Sequence, residues 1–145
     1  MSLNGIDISH HQGEAGMTVS IFEKMSFDFA IMKATDGTRF VDAWCDKYYQ
    51  SAKKRGKLLG VYHYANGTNA EKEVDYFLTH CKNYVGEALI ALDWEKSYNQ
   101  SFDNPYTSKY SSILSAYSLG HFSVYNMKSN LLYAASAPPL ADPLV

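Results

Sequence analysis

Two carboxylates separated by a single tryptophan, Asp93-Trp94-Glu95, close the stretch Glu87-Ala-Leu-Ile-Ala-Leu, whose last five residues are apolar. An uncharged run of that length is what a strand buried on both faces looks like, so the acids sit at the strand's C-terminal edge. Successive strand side chains alternate faces. Asp93 and Glu95 are therefore expected on one face, with α-carbons about 6.6 Å apart. Two acids in one cleft raise each other's pKa, and the one in the more apolar setting can stay protonated near neutral pH as a general acid. Such a pair can cleave a glycosidic bond, by retention or inversion according to the carboxyl separation, which α-carbon spacing does not fix. The bland alternative is a pair of structural salt bridges at a strand end.

The elements that must position these acids can be read from the rest of the chain. Asn4-Gly-Ile-Asp7-Ile-Ser9 reads as a short strand that again ends near an acid, Asp7, before a polar turn, His10-His11-Gln12-Gly13. Asp7 could instead cap that turn. Residues 18–25 have approximate helical spacing of apolar positions, with Thr18 or Ser20 available as a cap. A second strand, 27–35, carries Lys33 near its end, where a lysine needs a partner, and Asp36-Gly37-Thr38 then turns the chain. Residues 43–57 read as a helix with Lys53, Lys54 and Arg55 at its C-terminal end and Gly56 as its stop. Residues 58–65 form a third strand bearing Tyr62, His63 and Tyr64, and residues 70–83 a helix buried through Val74, Phe77, Leu78 and Cys81. The alternation of strand and helix calls for a parallel sheet and an α/β barrel with its site at the C-terminal strand ends. Beyond Glu95 the pattern weakens to a polar, aromatic-rich loop over 97–108, a helix over 109–117, a short strand at 122–125 and a proline-rich, extended tail over 134–145.

At 145 residues the chain is one domain with enough length for a core without metal or disulfide staples. Its 46% hydrophobic and 19% charged content and net charge of -2 give no reason to expect nucleic acid or an anionic membrane as a partner. Cys45 and Cys81 lie far apart without metal-ligand spacing and read as two buried free thiols. The 12 tyrosines and 2 tryptophans offer flat faces suited to sugar rings, although most such residues pack in cores. No segment has transmembrane length, and the N-terminus lacks a basic stretch followed by an apolar run.

A metal-dependent hydrolase is the alternative to the acid pair, because His10, His11 and His63 could approach the same mouth as Asp7, Asp93 and Glu95. None of the standard ligand spacings occurs. Adjacent His10 and His11 diverge if extended, and His63, between Tyr62 and Tyr64, faces away from whatever they face. The expected site therefore holds no metal and no cofactor.

Four ordered segments carry a resemblance: Gly5-Ile-Asp7-Ile-Ser-His-His-Gln-Gly13, Asp28-Phe-Ala-Ile-Met-Lys33-Ala-Thr-Asp-Gly37, Gly60-Val-Tyr-His-Tyr-Ala65 and Ala91-Leu-Asp93-Trp-Glu95. In this order and spacing the chain resembles the glycoside hydrolase family 25 muramidases, the lysozymes of phage endolysin and bacterial autolysin type. The resemblance covers 4–108, with a divergent tail over 109–145. It implies a TIM-like (β/α)5(β)3 barrel, incomplete at its C-terminal strands, that cleaves the β-1,4 bond between N-acetylmuramic acid and N-acetylglucosamine in peptidoglycan. Glu95 would be the general acid. Asp93 would stabilise the positive charge at the anomeric carbon or position the substrate's 2-acetamido group. Asp7 would share the acidic cleft, and Lys33, Tyr62 and Tyr64 would line the groove, with Lys33 also able to pair with the acids. Such domains usually bring another aspartate from later strands, and Asp142 is a poor match for it. Missing strands would leave open barrel edges for a partner chain or self-association to cover. A domain that binds glycan without turnover is the non-enzymatic alternative. Without an export signal, delivery to the cell wall would be by lysis or a phage route.

Overall fold

In the computed structural model, residues 2–95, 106, 108–110 and 112–113 are described, together with the backbone of strands at 122–126 and 131–135. The elements are β1 (Gly5–Ile8), α1 (His10–Glu14), α2 (Val19–Phe22), β2 (Phe29–Asp36), β3 (Phe40–Val41), α3 (Cys45–Lys54), β4 (Leu58–Tyr64), α4 (Ala70–Cys81), β5 (Leu89–Asp93), β6 (Phe122–Asn126) and β7 (Leu131–Ala135). A short 3-10 turn, Lys82–Tyr84, follows α4.

One sheet runs in the order β1-β2-β4-β5-β6-β7, with β3 paired to β2 off the path. The first five of these strands are mutually parallel, as the strand and helix alternation requires, while β3 and β7 pair antiparallel. Neither β3 nor β7 was legible as a strand. β3 has only two residues, and β7 lies where the proline-rich tail was expected to begin. Of the helix expected over 109–117, residues 109–110 and 112–113 are helical, and residues 106 and 108, expected in the 97–108 loop, are helical as well. Its remainder, most of the 97–108 loop, the rest of the tail and Asp142 lie outside the described residues.

The register sorts the side chains onto two faces. Ile8, Ala30, Met32, Ala34, Val61, Ile90 and Leu92 are buried in the core with Phe22, Tyr48, Tyr49, Ala52, Val74 and Phe77 from the helices. The intervening positions Asp7, Ile31, Lys33, Gly60, Tyr62, Leu89, Ala91 and Asp93 fall on the opposite face by alternation.

Local chemistry explains most of the boundaries. Thr18 caps α2 by accepting from the Ile21 amide, and Asn69 caps α4 by accepting from the Lys72 amide at 3.0 Å. Gly56, with φ of 67°, releases the chain from α3 in a conformation only glycine adopts cheaply. The segment His10-His11-Gln12-Gly13 is not a turn but the body of α1. Ser9 and Gln12 form a reciprocal capping box there, with the Ser9 amide donating to Gln12 Oε1 at 2.8 Å. Gly13 lies flat against Trp44, where a β-carbon would come within 2.3 Å of the indole. Cys45 and Cys81 are free and buried.

Candidate active site

Asp7 on β1, Lys33 on β2, Tyr62 and Tyr64 on β4 and Asp93 at the end of β5 come together on the face turned away from the helices. They share that face because parallel registers set Lys33 beside Tyr62, Tyr62 beside Ala91 and Tyr64 beside Asp93. Below them lies a cavity of about 680 Å³, whose lining includes Asp7, Ile31, Gly60, Tyr62, Ala91 and Asp93.

β5 ends at Asp93, so Glu95 lies just beyond the strand rather than on it. The alternation expected to align the two acids therefore stops two residues short. Glu95 reaches the cluster all the same, where it accepts a hydrogen bond from Tyr64 Oη at 3.2 Å.

The electrostatics separate the acids. Asp93 is 5% exposed, and among the described residues its Oδ1 has no hydrogen-bond partner. Burial, then the charges of Glu95 and Asp7, push its pKa up to about 7, against the opposing pull of Lys33. Asp7 is exposed at the mouth of the cavity, yet the protein crowded around its carboxyl raises its pKa, while a hydrogen bond from Tyr62 and the Lys33 charge lower it. Tyr62, desolvated and beside Asp7 and Asp93, keeps its phenolic proton far above the usual range. It is a hydrogen-bond donor to Asp7, not a base.

Lys33 is 7% exposed and finds its partner in Asp36, with Nζ 2.7 Å from Oδ2. In a regular strand, residues three apart point to opposite faces. A register shift between Lys33 and Thr35 turns Thr35 toward the helices and brings Asp36 to the acid face. The ammonium lies 4.6 Å from the centre of the Tyr64 ring. Sequence reading missed Asp36 as a site residue because a bulge leaves no mark in the apolar pattern.

The profile of the glycosyl hydrolases family 25 matches residues 6–132. The chain belongs to that family. The match continues past residue 108, where recognisable motifs end, and takes in β6. The autolytic lysozyme of Clostridium acetobutylicum is 26% identical over 101 residues, 70% of this chain and 31% of that protein. Lysozyme M1 of Streptomyces globisporus is 35% identical over 77 residues, 52% of this chain and 26% of that protein. The solved family 25 glycosyl hydrolase from Bacillus anthracis superposes with a TM-score of 0.67 at 27% identity, over 86% of this chain and 60% of that one. The chain thus spans about a third or less of the curated relatives it matches and three fifths of this solved neighbour.

Within this family 25 domain the histidines have other work. His63 is fully buried on the helix side, with Nδ1 2.7 Å from Thr35 Oγ1 and Nε2 2.9 Å from Glu73 Oε2, as its place between two site tyrosines predicts. Glu73 also accepts from the Asn66 amide and from the amide and hydroxyl of Thr68, tying the loop after β4 to α4. His10 and His11 do not diverge. They sit in α1 with ring centres 4.0 Å apart, and His10 Nδ1 donates to the buried Asp42 at 2.9 Å. Among the described residues, no three His, Cys, Asp or Glu side chains converge as a metal site. Asp42 and Glu73 gave no sequence signal of their roles, since each is defined by a partner distant in the chain.

Proposed function

We propose that this chain is an N-acetylmuramidase, a lysozyme that hydrolyses the β-1,4 bond between N-acetylmuramic acid and N-acetylglucosamine in bacterial peptidoglycan. Membership of family 25 supports the class of reaction. The observation that carries the mechanism is Asp93, a buried carboxylate with one oxygen unpartnered among the described residues and its pKa near neutrality, beside Glu95 and Asp7. Turnover by this route requires the proton on Glu95 and the charge on Asp93.

In that state Glu95 protonates the departing glycosidic oxygen as the anomeric C–O bond breaks. Asp93 Oδ1 accepts the N–H of the substrate's 2-acetamido group, so that the acetamido oxygen closes on the anomeric carbon and shares its positive charge. Water then attacks that carbon. Glu95 takes the proton from this water and is restored. Asp7, steadied by Tyr62, orients sugar or water at the mouth, and Lys33, Tyr62 and Tyr64 line the groove. No cofactor enters this sequence.

We read the parallel strands β1, β2, β4, β5 and β6, with the antiparallel β7, as part of a (β/α)5(β)3 barrel, which accounts for a site at the C-terminal strand ends. The substrate sets the place of action at the bacterial cell wall, and no described helix is long and apolar enough to cross a membrane. The test is reducing-end release from purified peptidoglycan, with Glu95→Gln alongside and the parent repeated in chelator. Release should persist in chelator and fall about 10²–10⁴-fold in the variant, the range for loss of a general acid. Equal activity of Glu95→Gln would refute the mechanism. Glycan binding by a folded parent that releases no reducing ends would replace it with a binding role.

A further inference from the structure

We infer that Phe40 and His10 form a sugar-binding subsite at the rim of the acid cluster that takes a second pyranose of the glycan strand; the inference rests on the glycosidase reading above. Three observations converge on this patch. The first is position. β3 pairs Phe40 with Asp36 and Val41 with Thr35. Directly paired residues share a face, so Phe40 belongs to the acid face beside Asp36, and Val41 belongs to the other. The Lys33 ammonium lies 5.7 Å from the centre of the Phe40 ring and 4.6 Å from that of Tyr64. A continuous wall therefore runs from Phe40 past Lys33 and Tyr64 to Glu95.

The second observation is that His10 is aimed by a buried anion. Asp42, whose side chain has no solvent exposure, accepts from the His10 amide at 2.7 Å, from His10 Nδ1 at 2.9 Å and from the Trp44 amide at 2.8 Å. This holds the imidazole in one orientation and commits Nδ1 as a donor. Among the described residues no hydrogen bond engages Nε2, and the side chain is 16% exposed. The third observation is the pairing of surfaces. Phe40 is 37% exposed and its ring centre lies 4.8 Å from that of His10. A single exposed phenylalanine is ordinary. An exposed ring braced against an imidazole with one fixed and one unengaged nitrogen is a complement to a pyranose, which has an apolar C–H face and hydroxyl or acetamido groups at its edge.

The test uses Glu95→Gln as a background in which turnover is slowed about 10²–10⁴-fold and a tetrasaccharide of alternating N-acetylglucosamine and N-acetylmuramic acid, titrated calorimetrically. Adding Phe40→Ala should weaken binding about five- to tenfold, the scale of one aromatic contact. His10→Asn should weaken it comparably. Val41→Ala, one residue along and on the other face, should bind as the background does. The exposure of Phe40 predicts a melting temperature within about 2 °C of the background for its alanine variant, separating lost contact from lost fold. Equal affinity of the Phe40→Ala variant and its background would overturn the subsite and leave the glycosidase reading standing. No glycan binding by a folded background would overturn both.

Discussion

Replacing Asp93 by asparagine should stabilise the protein at neutral and alkaline pH while abolishing its chemistry. The folded-state pKa of about 7 stands about 3 units above the ordinary value of 3.8. A folded pKa above the unfolded one means that the native state holds the proton more tightly. Below pH 4 both states are protonated and the acid costs nothing. Between pH 4 and 7 the unfolded chain releases its proton while the native state retains it, so stability falls as pH rises, and the full cost is reached above pH 7. At about 1.4 kcal/mol per unit, that cost is about 4 kcal/mol. Asparagine keeps the shape and removes the titration. Chemical unfolding of parent and Asp93→Asn should therefore show nearly equal stability at pH 4 and a gain for the variant at pH 8 approaching about 4 kcal/mol, or about 10 °C in melting temperature for a domain of this size. A gain independent of pH, or a loss at pH 8, would refute the account of Asp93 as a buried acid held under electrostatic strain. Such a cost is what a carboxylate held ready for the proposed chemistry is expected to impose on the fold that carries it.

Two further outcomes follow from the neighbours of the acids. Lys33 lowers the pKa of both Asp93 and Asp7, so Lys33→Met should move the acidic limb of the kcat/KM profile to higher pH; an unmoved limb would show that Asp36 already neutralises the lysine. Burial pushes the Glu73 carboxyl up, but the hydrogen bond and charge of His63 outweigh it and hold the pKa at about 2. A depressed folded pKa contributes stability above the unfolded value of 4.5 and loses it as pH falls toward 2, so Glu73→Gln should destabilise by about 3–5 kcal/mol at pH 7 and by much less at pH 2, measured by unfolding at both pH values.

The parts of the fold and site legible in the sequence are those that period and local chemistry dictate. Strands β1, β2, β4 and β5 were visible as short apolar runs, and the stripe of Val74, Phe77 and Cys81 marked α4. Period two placed His63 on the face opposite Tyr62 and Tyr64, as found. What escaped depends on partners remote in the chain or on a break in the period. The capping box made α1 a helix where a polar turn was expected, although Ser9 and Gln12 stood at the required spacing. The register shift after Lys33 brought Asp36 into the site, and β3 and β7 exist because an existing strand edge offers them pairing. The alternation that was to align Asp93 with Glu95 holds only as far as Asp93. Asp93 is the last residue of its strand, and Glu95 enters the cluster through Tyr64 rather than by alternation.

The division of the sheet into two faces explains how one strand serves stability and chemistry together. On β4, Val61 and His63 face the helices and Tyr62 and Tyr64 face the acids. His63 is held at both ring nitrogens, by Thr35 of β2 and by Glu73 of α4, so β2, β4 and α4 are fixed to one another directly behind the site. Thr35 can reach His63 because of the same shift that delivers Asp36 to Lys33. One irregularity in β2 thus completes the buried clamp on one face and sets the cation that moderates Asp93 on the other. A regular β2 would turn Thr35 toward the acids and Asp36 toward the helices, leaving His63 short of a partner and Lys33 unpaired beside three carboxylates. The bulge therefore belongs to the site as much as the acids do.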